Sequence, residues 1–176
     1  MKNVSSALLL LLLISACQPT TEAPKPVDKA AIEKDAAALM DRFYAAQRGD
    51  DPAELALVIA EDVIAYGTDP AEIMVKATML KTIEQYKQDP VMAELLATLN
   101  IEVTKRDMRI SDDGNQVVVT DQANVSFSKM PIRGTTIMVK GEGGWKVSYY
   151  NAGFLVNNTD LAKVDSCMAA TPAPAQ

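Results

Sequence analysis

The spacing of apolar residues changes once along this chain, near residue 100, and that change restricts the fold more than any other feature. Ile32, Ala36, Leu39, Phe43 and Ala46 recur at steps of four and three, which is one face of a helix over residues 30–48. Gly49 ends it. Asp51-Pro52-Ala53-Glu54 opens a second helix: Asp caps the free amides, Pro fits the first turn, and Glu three residues on completes a capping box. Leu55, Val58 and Ile59 supply its buried face. The same signal at Asp69-Pro70-Ala71-Glu72 predicts a further helix start, and Met79, Leu80, Ile83 and Tyr86 a longer helix behind it. Asp89-Pro90 begins a short one over residues 90–98. Beyond that point the period falls to two. Val117, Val119, Ala123, Val125 and Phe127 alternate with Val118, Thr120, Gln122, Asn124, Ser126 and Ser128, a strand with one apolar and one mostly polar face. Asp112-Asp113-Gly114-Asn115 is a hairpin signal that makes residues 101–110 its partner. Residues 132–140 form another strand, and Gly141-Glu142-Gly143-Gly144 turns the chain into Trp145–Val156. Helices first and an antiparallel meander second give an α+β fold, with helices packed on one face of a curved antiparallel sheet.

The ends read differently. Lys2, the apolar run from Ala7 to Ile14, and Ser15-Ala16-Cys17 have the order of a secretory signal peptide. The run is too short for a membrane span, which takes about 20 apolar residues. The small-small-Cys ending resembles the lipobox of bacterial lipoproteins; a plain secretory signal beside an incidental cysteine is the other reading. The resemblance implies cleavage after residue 16, thioether lipidation of Cys17, and acylation of the new N-terminus, with palmitate as a typical chain. Gln18 in place of Asp after the cysteine resembles outer-membrane sorting, with the domain in the periplasm. The expected organisation is a signal peptide over 1–16, the lipidated Cys and a proline-rich tether over 17–29, one domain over 30–165, and a disordered Pro/Ala tail over 166–176.

Composition removes several functions. Losing residues 1–16 takes away only Lys2 and leaves a formal charge of −7, with no basic run, so a nucleic-acid partner is not expected. Attraction to anionic lipid is disfavoured as well, so membrane attachment rests on the acyl chains. The chain has no histidine, hence no Ser-His-Asp or Cys-His arrangement. No His/Cys cluster exists to hold zinc, and the glycine-rich stretch 141–144 lies between strands rather than before a helix, so neither a metal nor a cofactor is expected. With Cys17 lipidated, Cys167 has no intrachain partner.

Five features stand in order: Ala60-Glu61-Asp62-Val63, Gly67-Thr68-Asp69-Pro70, a helix running past Lys76, Arg133-Gly134-Thr135-Thr136, and Gly143-Gly144-Trp145-Lys146-Val147. They resemble the NTF2-like superfamily, specifically its SnoaL-like branch, over roughly residues 30–160. The resemblance implies a cone of helices closing over a strongly bent antiparallel sheet, a pocket inside it, and in many members a homodimer formed through the outer sheet face. The superfamily hosts both enzymes and binding domains, so the side chains must decide. An ungapped match puts Gly67 where the steroid-isomerase branch carries its base; Asp69 could substitute, although Asp-Pro-Ala-Glu already gives it a capping role. Asp121 interrupts the apolar row of its strand. Facing inward it is a desolvated acid or base; the alternatives are a β-bulge that turns it outward, or a structural pairing with Arg133 or Arg109. Trp145, Val147, Tyr149 and Asn151 alternate onto one face, which either lends Tyr149 and Asn151 to a pocket or packs the aromatics as core. The expected pocket set is Phe43, Tyr66, Met79, Ile83, Asp121, Trp145, Tyr149 and Asn151, with Tyr44 and Tyr86 also within possible reach.

Three functional readings follow. The first is a tethered, non-enzymatic module for a small apolar ligand or a protein partner. The second is an acid–base isomerase, cyclase or hydratase working through Asp121 or Asp69. The third is a structural dimer whose vestigial pocket is filled by its own Met side chains. The missing histidines and displaced carboxylate favour the non-enzymatic readings.

Overall fold

The computed structural model describes residues 26–48 and 52–170. The signal segment, Cys17, most of the tether, Gly49 at the expected end of the first helix, Asp51 of the first capping box and residues 171–176 lie outside them.

Helix α1 (Lys29–Gln47) starts where Asp28 accepts a hydrogen bond from the Ala31 N–H at 3.0 Å. Its buried face is the one expected from the spacing, Ile32, Ala36, Leu39, Phe43 and Ala46, widened by Met40 and Tyr44. Helix α2 (Pro52–Val58) runs directly into strand β1 (Ile59–Tyr66). Strand β2 (Ile73–Val75), helix α3 (Lys76–Gln88) and helix α4 (Pro90–Thr98) follow. Asp89 caps α4 by accepting from Val91 and Met92 N–H at 2.9 and 3.2 Å. The chain then lays down β3 (Ile101–Ile110), β4 (Gln116–Val125), β5 (Ser128–Gly141) and β6 (Gly144–Phe154), and ends in α5 (Leu161–Ala170). The strands form one sheet in the order β2-β1-β6-β5-β4-β3, with α1, α2 and α3 packed on it and α4 packed on α3, an α+β architecture. The core sits between α1, α2 and the inner face, where Phe43, Met40, Leu55, Val63, Val117, Val119, Met138 and Val147 are almost wholly buried. Each such side chain contributes roughly 1.5–3 kcal/mol by leaving water.

Three features differ from the sequence expectation. The sheet is mixed rather than wholly antiparallel, because β1 lies parallel to β6; the long chain between them supplies the crossover that parallel neighbours require. Asp69-Pro70-Ala71-Glu72 starts no helix. Its bonds do form, with Asp69 Oδ1 accepting from Ala71 N–H at 2.8 Å and Glu72 Oε2 from Asp69 N–H at 3.1 Å. They close a single turn, because Ile73-Met74-Val75 then pairs with Tyr66-Ala65-Ile64 as an edge strand, and β-branched Ile and Val favour that partner. Residues 166–170, expected in the disordered tail, are the last turns of α5, since no helix breaker precedes Pro172. Cys167 is exposed on that helix.

Two β-bulges decide which side chains face the helices. In β3 the register steps between Val103 and Lys105, so Thr104 is the extra residue. In β6 Ser148 is extra, opposite the step from Ile137 to Met138. Each bulged hydroxyl donates to a carbonyl on the facing strand, Thr104 to Gln122 at 3.1 Å and Ser148 to Ile137 at 3.2 Å. A bulge reverses the inward–outward alternation beyond it.

Candidate functional site

Asp121 stands on the inner face of β4, its side chain 1% exposed. The strand is regular at this point, so the bulge that would have turned Asp121 outward is absent. Its partner is neither Arg133 nor Arg109 but Arg106, directly opposite on β3. The Thr104 bulge turns Arg106 inward, where plain alternation from Ile101 and Val103 would have placed Lys105. Arg106 donates from Nε to Asp121 Oδ1 at 2.8 Å and from a terminal nitrogen to Oδ2 at 2.9 Å. Tyr44 of α1 donates its hydroxyl to Oδ2 at 3.0 Å. The same guanidinium reaches Asp41 at 3.3 Å. The bond to Asp121 holds the Arg106 pKa above its ordinary value. Burial first, then the negative potential of Tyr150 and Asp121, drives the Tyr44 phenol far above its own. Both oxygens of Asp121 are engaged, by three donors in all, so the group braces α1 against β3 and β4.

A cavity of about 210 Å³ lies beside this brace, between the α2–α3 side and the inner sheet. Leu55, Met74, Met79, Ile83, Ile101, Val125 and Ile132 form most of its wall. Phe127, at the β4–β5 turn and half exposed, stands at its edge. Polar groups come from Gln47, Thr68, Glu72, Thr82 and Tyr150. Tyr150 joins the cavity to the brace. Its ring lines the cavity, packs edge-on against Phe43 at 5.3 Å, and passes over Gly134, the residue opposite Asp121. Burial, then Asp121, pushes its phenol up to about 12. The Glu72 carboxylate occupies the space a side chain at Gly67 would take: a Cβ there would stand 2.0 Å from Oε2.

The expected pocket residues divide accordingly. Met79 and Ile83 line the cavity. Phe43 is fully buried behind Tyr150 rather than exposed to the cavity. Asp121 lies in the brace. Trp145 packs against the core and borders a separate surface depression with Leu39 and Leu57. Tyr149 and Asn151 are corrected to the outer face, because the Ser148 bulge brings Tyr150 and Ala152 inward in their place. Tyr66 faces outward too, its ring 5.9 Å from that of Tyr149. Asp69 is exposed in its turn, and neither Asp69 nor Tyr86 lines the cavity. Sequence reasoning missed Glu72, Tyr150 and Arg106. The available signal was weak: a Ser or Thr inside each strand at the bulge. Among the described residues no three His, Cys, Asp or Glu side chains converge as metal ligands would.

The sequence model of the SnoaL-like domain family matches residues 36–157. No curated protein matches the chain. Many solved structures share its fold. A protein of unknown function from Pectobacterium atrosepticum is similar at 18% identity and a TM-score of 0.59, over 76% of this chain and 98% of its own. An NTF2-like protein of unknown function from Pseudomonas putida aligns at 15% identity and 0.60, over 75% of this chain and 92% of its own. A candidate ketosteroid isomerase from Shewanella frigidimarina aligns at 15% identity and 0.54, over 69% and 97%. At these identities the likeness concerns the fold alone.

Proposed function

The chain belongs to the SnoaL-like domain family, and from that premise we propose that it is a non-enzymatic module binding a small, largely apolar molecule in the cavity. The observation that carries this reading is the division of the interior. The cavity wall is mostly apolar, while the buried carboxylate beside it, Asp121, has every oxygen committed to Arg106 and Tyr44. Apolar concavities with a few placed polar groups are what small-molecule sites commonly are. Met74 and Met79 line this one without filling it, which weighs against a vestigial pocket. Native mass spectrometry of the purified protein tests the reading. A reproducible small-molecule mass, or binding of the neutral probe 1-octanol, is the expected result; a chain that carries nothing and binds no such probe rejects it.

One observation favours a second reading. The Glu72 carboxylate lies over Gly67, where the resemblance to the steroid-isomerase branch implies a base. An acid–base enzyme on this scaffold would therefore work through Glu72 rather than Asp121 or Asp69.

The setting is proposed with the function. Lipidation of Cys17 would hold the domain at the outer membrane, in the periplasm, and mass measurement of the N-terminal peptide tests it. A homodimer is supported by an outward row in register across five strands, Val75, Ile64, Tyr149, Ile137 and Val118. Val75 and Ile64 are 53% and 42% exposed. Ile64→Lys should convert a sedimenting dimer to monomer.

A further inference from the structure

We propose that the cavity selects apolar molecules that carry an ammonium group over carboxylates of the same size. The inference rests on the reading of the cavity as a binding site and concerns its ligand class. Among the described residues Glu72 is the one charged residue in the wall, and none of them that lines it is Lys or Arg. Gly67 is what allows this placement, because any side chain there would displace the carboxylate.

The charge is largely uncommitted. Glu72 Oε2 accepts the Asp69 N–H at 3.1 Å, one bond for a group with about four acceptor positions. Among the described residues no cation is paired with it. Lys76, four residues on, is held by Glu61 at 3.0 Å on the outside. A ligand ammonium could thus donate to Glu72 in a charge-assisted bond, while its apolar body covers Met79, Ile83 and Ile132. Thr68 and Thr82 add neutral acceptors on the same wall. A ligand carboxylate would bring like charge against Glu72, a repulsion that low salt leaves in place. The net charge of −6 extends the same preference into the approach.

Size narrows the class. A cavity of about 150 Å³ holds benzene, so about 210 Å³ takes one ring with a short substituent or a chain of roughly eight carbons.

The test compares n-octylamine, 1-octanol and octanoate by calorimetric titration of the purified protein at neutral pH and low salt. Octylamine should bind at least about tenfold more tightly than octanoate, with octanol between them. Glu72→Gln should bring amine and carboxylate within about twofold while leaving octanol unchanged. Because Glu72 also closes the 67–72 turn, Gly67→Ala serves as a second variant: its Cβ pushes the carboxylate aside without removing the charge, and discrimination should shrink. Equal affinity of amine and carboxylate for the unaltered protein, or discrimination that survives both substitutions, overturns the proposal. Failure of all three probes, neutral octanol included, overturns instead the reading of the cavity as a binding site.

Discussion

Replacing Asp121 with Asn separates a structural brace from a working carboxylate. Asp121 takes two bonds from Arg106, at 2.8 and 2.9 Å, and one from Tyr44 at 3.0 Å. Asn offers a single carbonyl oxygen and turns an NH2 group toward donors, so at least one partner is left facing a like group. Removing one member of a buried ion pair costs roughly 3–5 kcal/mol. Arg106 keeps a second carboxylate, Asp41 at 3.3 Å, and its side chain is 19% exposed, so water also reaches it. The lower end, about 3 kcal/mol, is therefore expected. Against a total stability of roughly 5–15 kcal/mol this is a large fraction. At about 2–4 °C per kcal/mol it corresponds to a fall in Tm of about 6–12 °C. Urea unfolding followed by the fluorescence of Trp145, the one tryptophan, reads the change directly. The midpoint should drop with the slope unchanged, and 1-octanol affinity should stay within about twofold, because Asp121 does not line the cavity. In a double-mutant cycle with Arg106→Gln, the two losses should fall short of additivity by about 2 kcal/mol. A loss under about 1 kcal/mol would refute the brace. Abolished octanol binding at unchanged stability would refute the placement of Asp121 outside the site.

Alkaline unfolding follows from Tyr150, whose phenol is raised by burial, then by Asp121, from 10 to about 12. The folded chain keeps this proton longer than the unfolded one, so the stabilisation is complete below pH 10 and is lost as pH climbs through 12. The loss is about 3 kcal/mol in all. Tyr44 shifts the same way, so phenolate absorbance should show two of the five tyrosines ionising only as the fold is lost, whereas all five titrating near pH 10 in a folded protein would contradict this. Gly114 has φ of +68° and its missing Cβ leaves room for Val27, with Cγ1 only 2.7 Å from where that Cβ would be. Gly114→Ala should therefore lower urea stability by about 2 kcal/mol, most of it from the left-handed backbone. Glu61 is 91% exposed in its pair with Lys76, and Glu61→Gln should change the midpoint by less than about 0.5 kcal/mol.

Most of the elements and the class of fold are legible in the amino-acid sequence alone. The steps of three and four in α1, the Asp-Pro start of α4 and the alternation along β4 are local signals, set by helix and strand geometry within a few residues. Helices on one face of a curved sheet follow, because a one-sided strand and a striped helix can bury their apolar faces only against each other. Which side chains share the interior was settled by packing between elements. Asp-Pro-Ala-Glu at 69–72 carries a complete helix-start signal, yet an edge of β1 stood within reach of Ile73–Val75 and pairing prevailed over propensity. The site depended still more on long-range registers. One extra residue at Thr104 brings Arg106 to Asp121, and one at Ser148 exchanges Tyr149 and Asn151 for Tyr150 and Ala152. Side-chain direction in a strand has a period of two, so a single bulge reverses it for every residue beyond. Where a bulge falls is settled by hydrogen bonds to the neighbouring strand, 18 residues away for Thr104 and 11 for Ser148, beyond the reach of a local pattern.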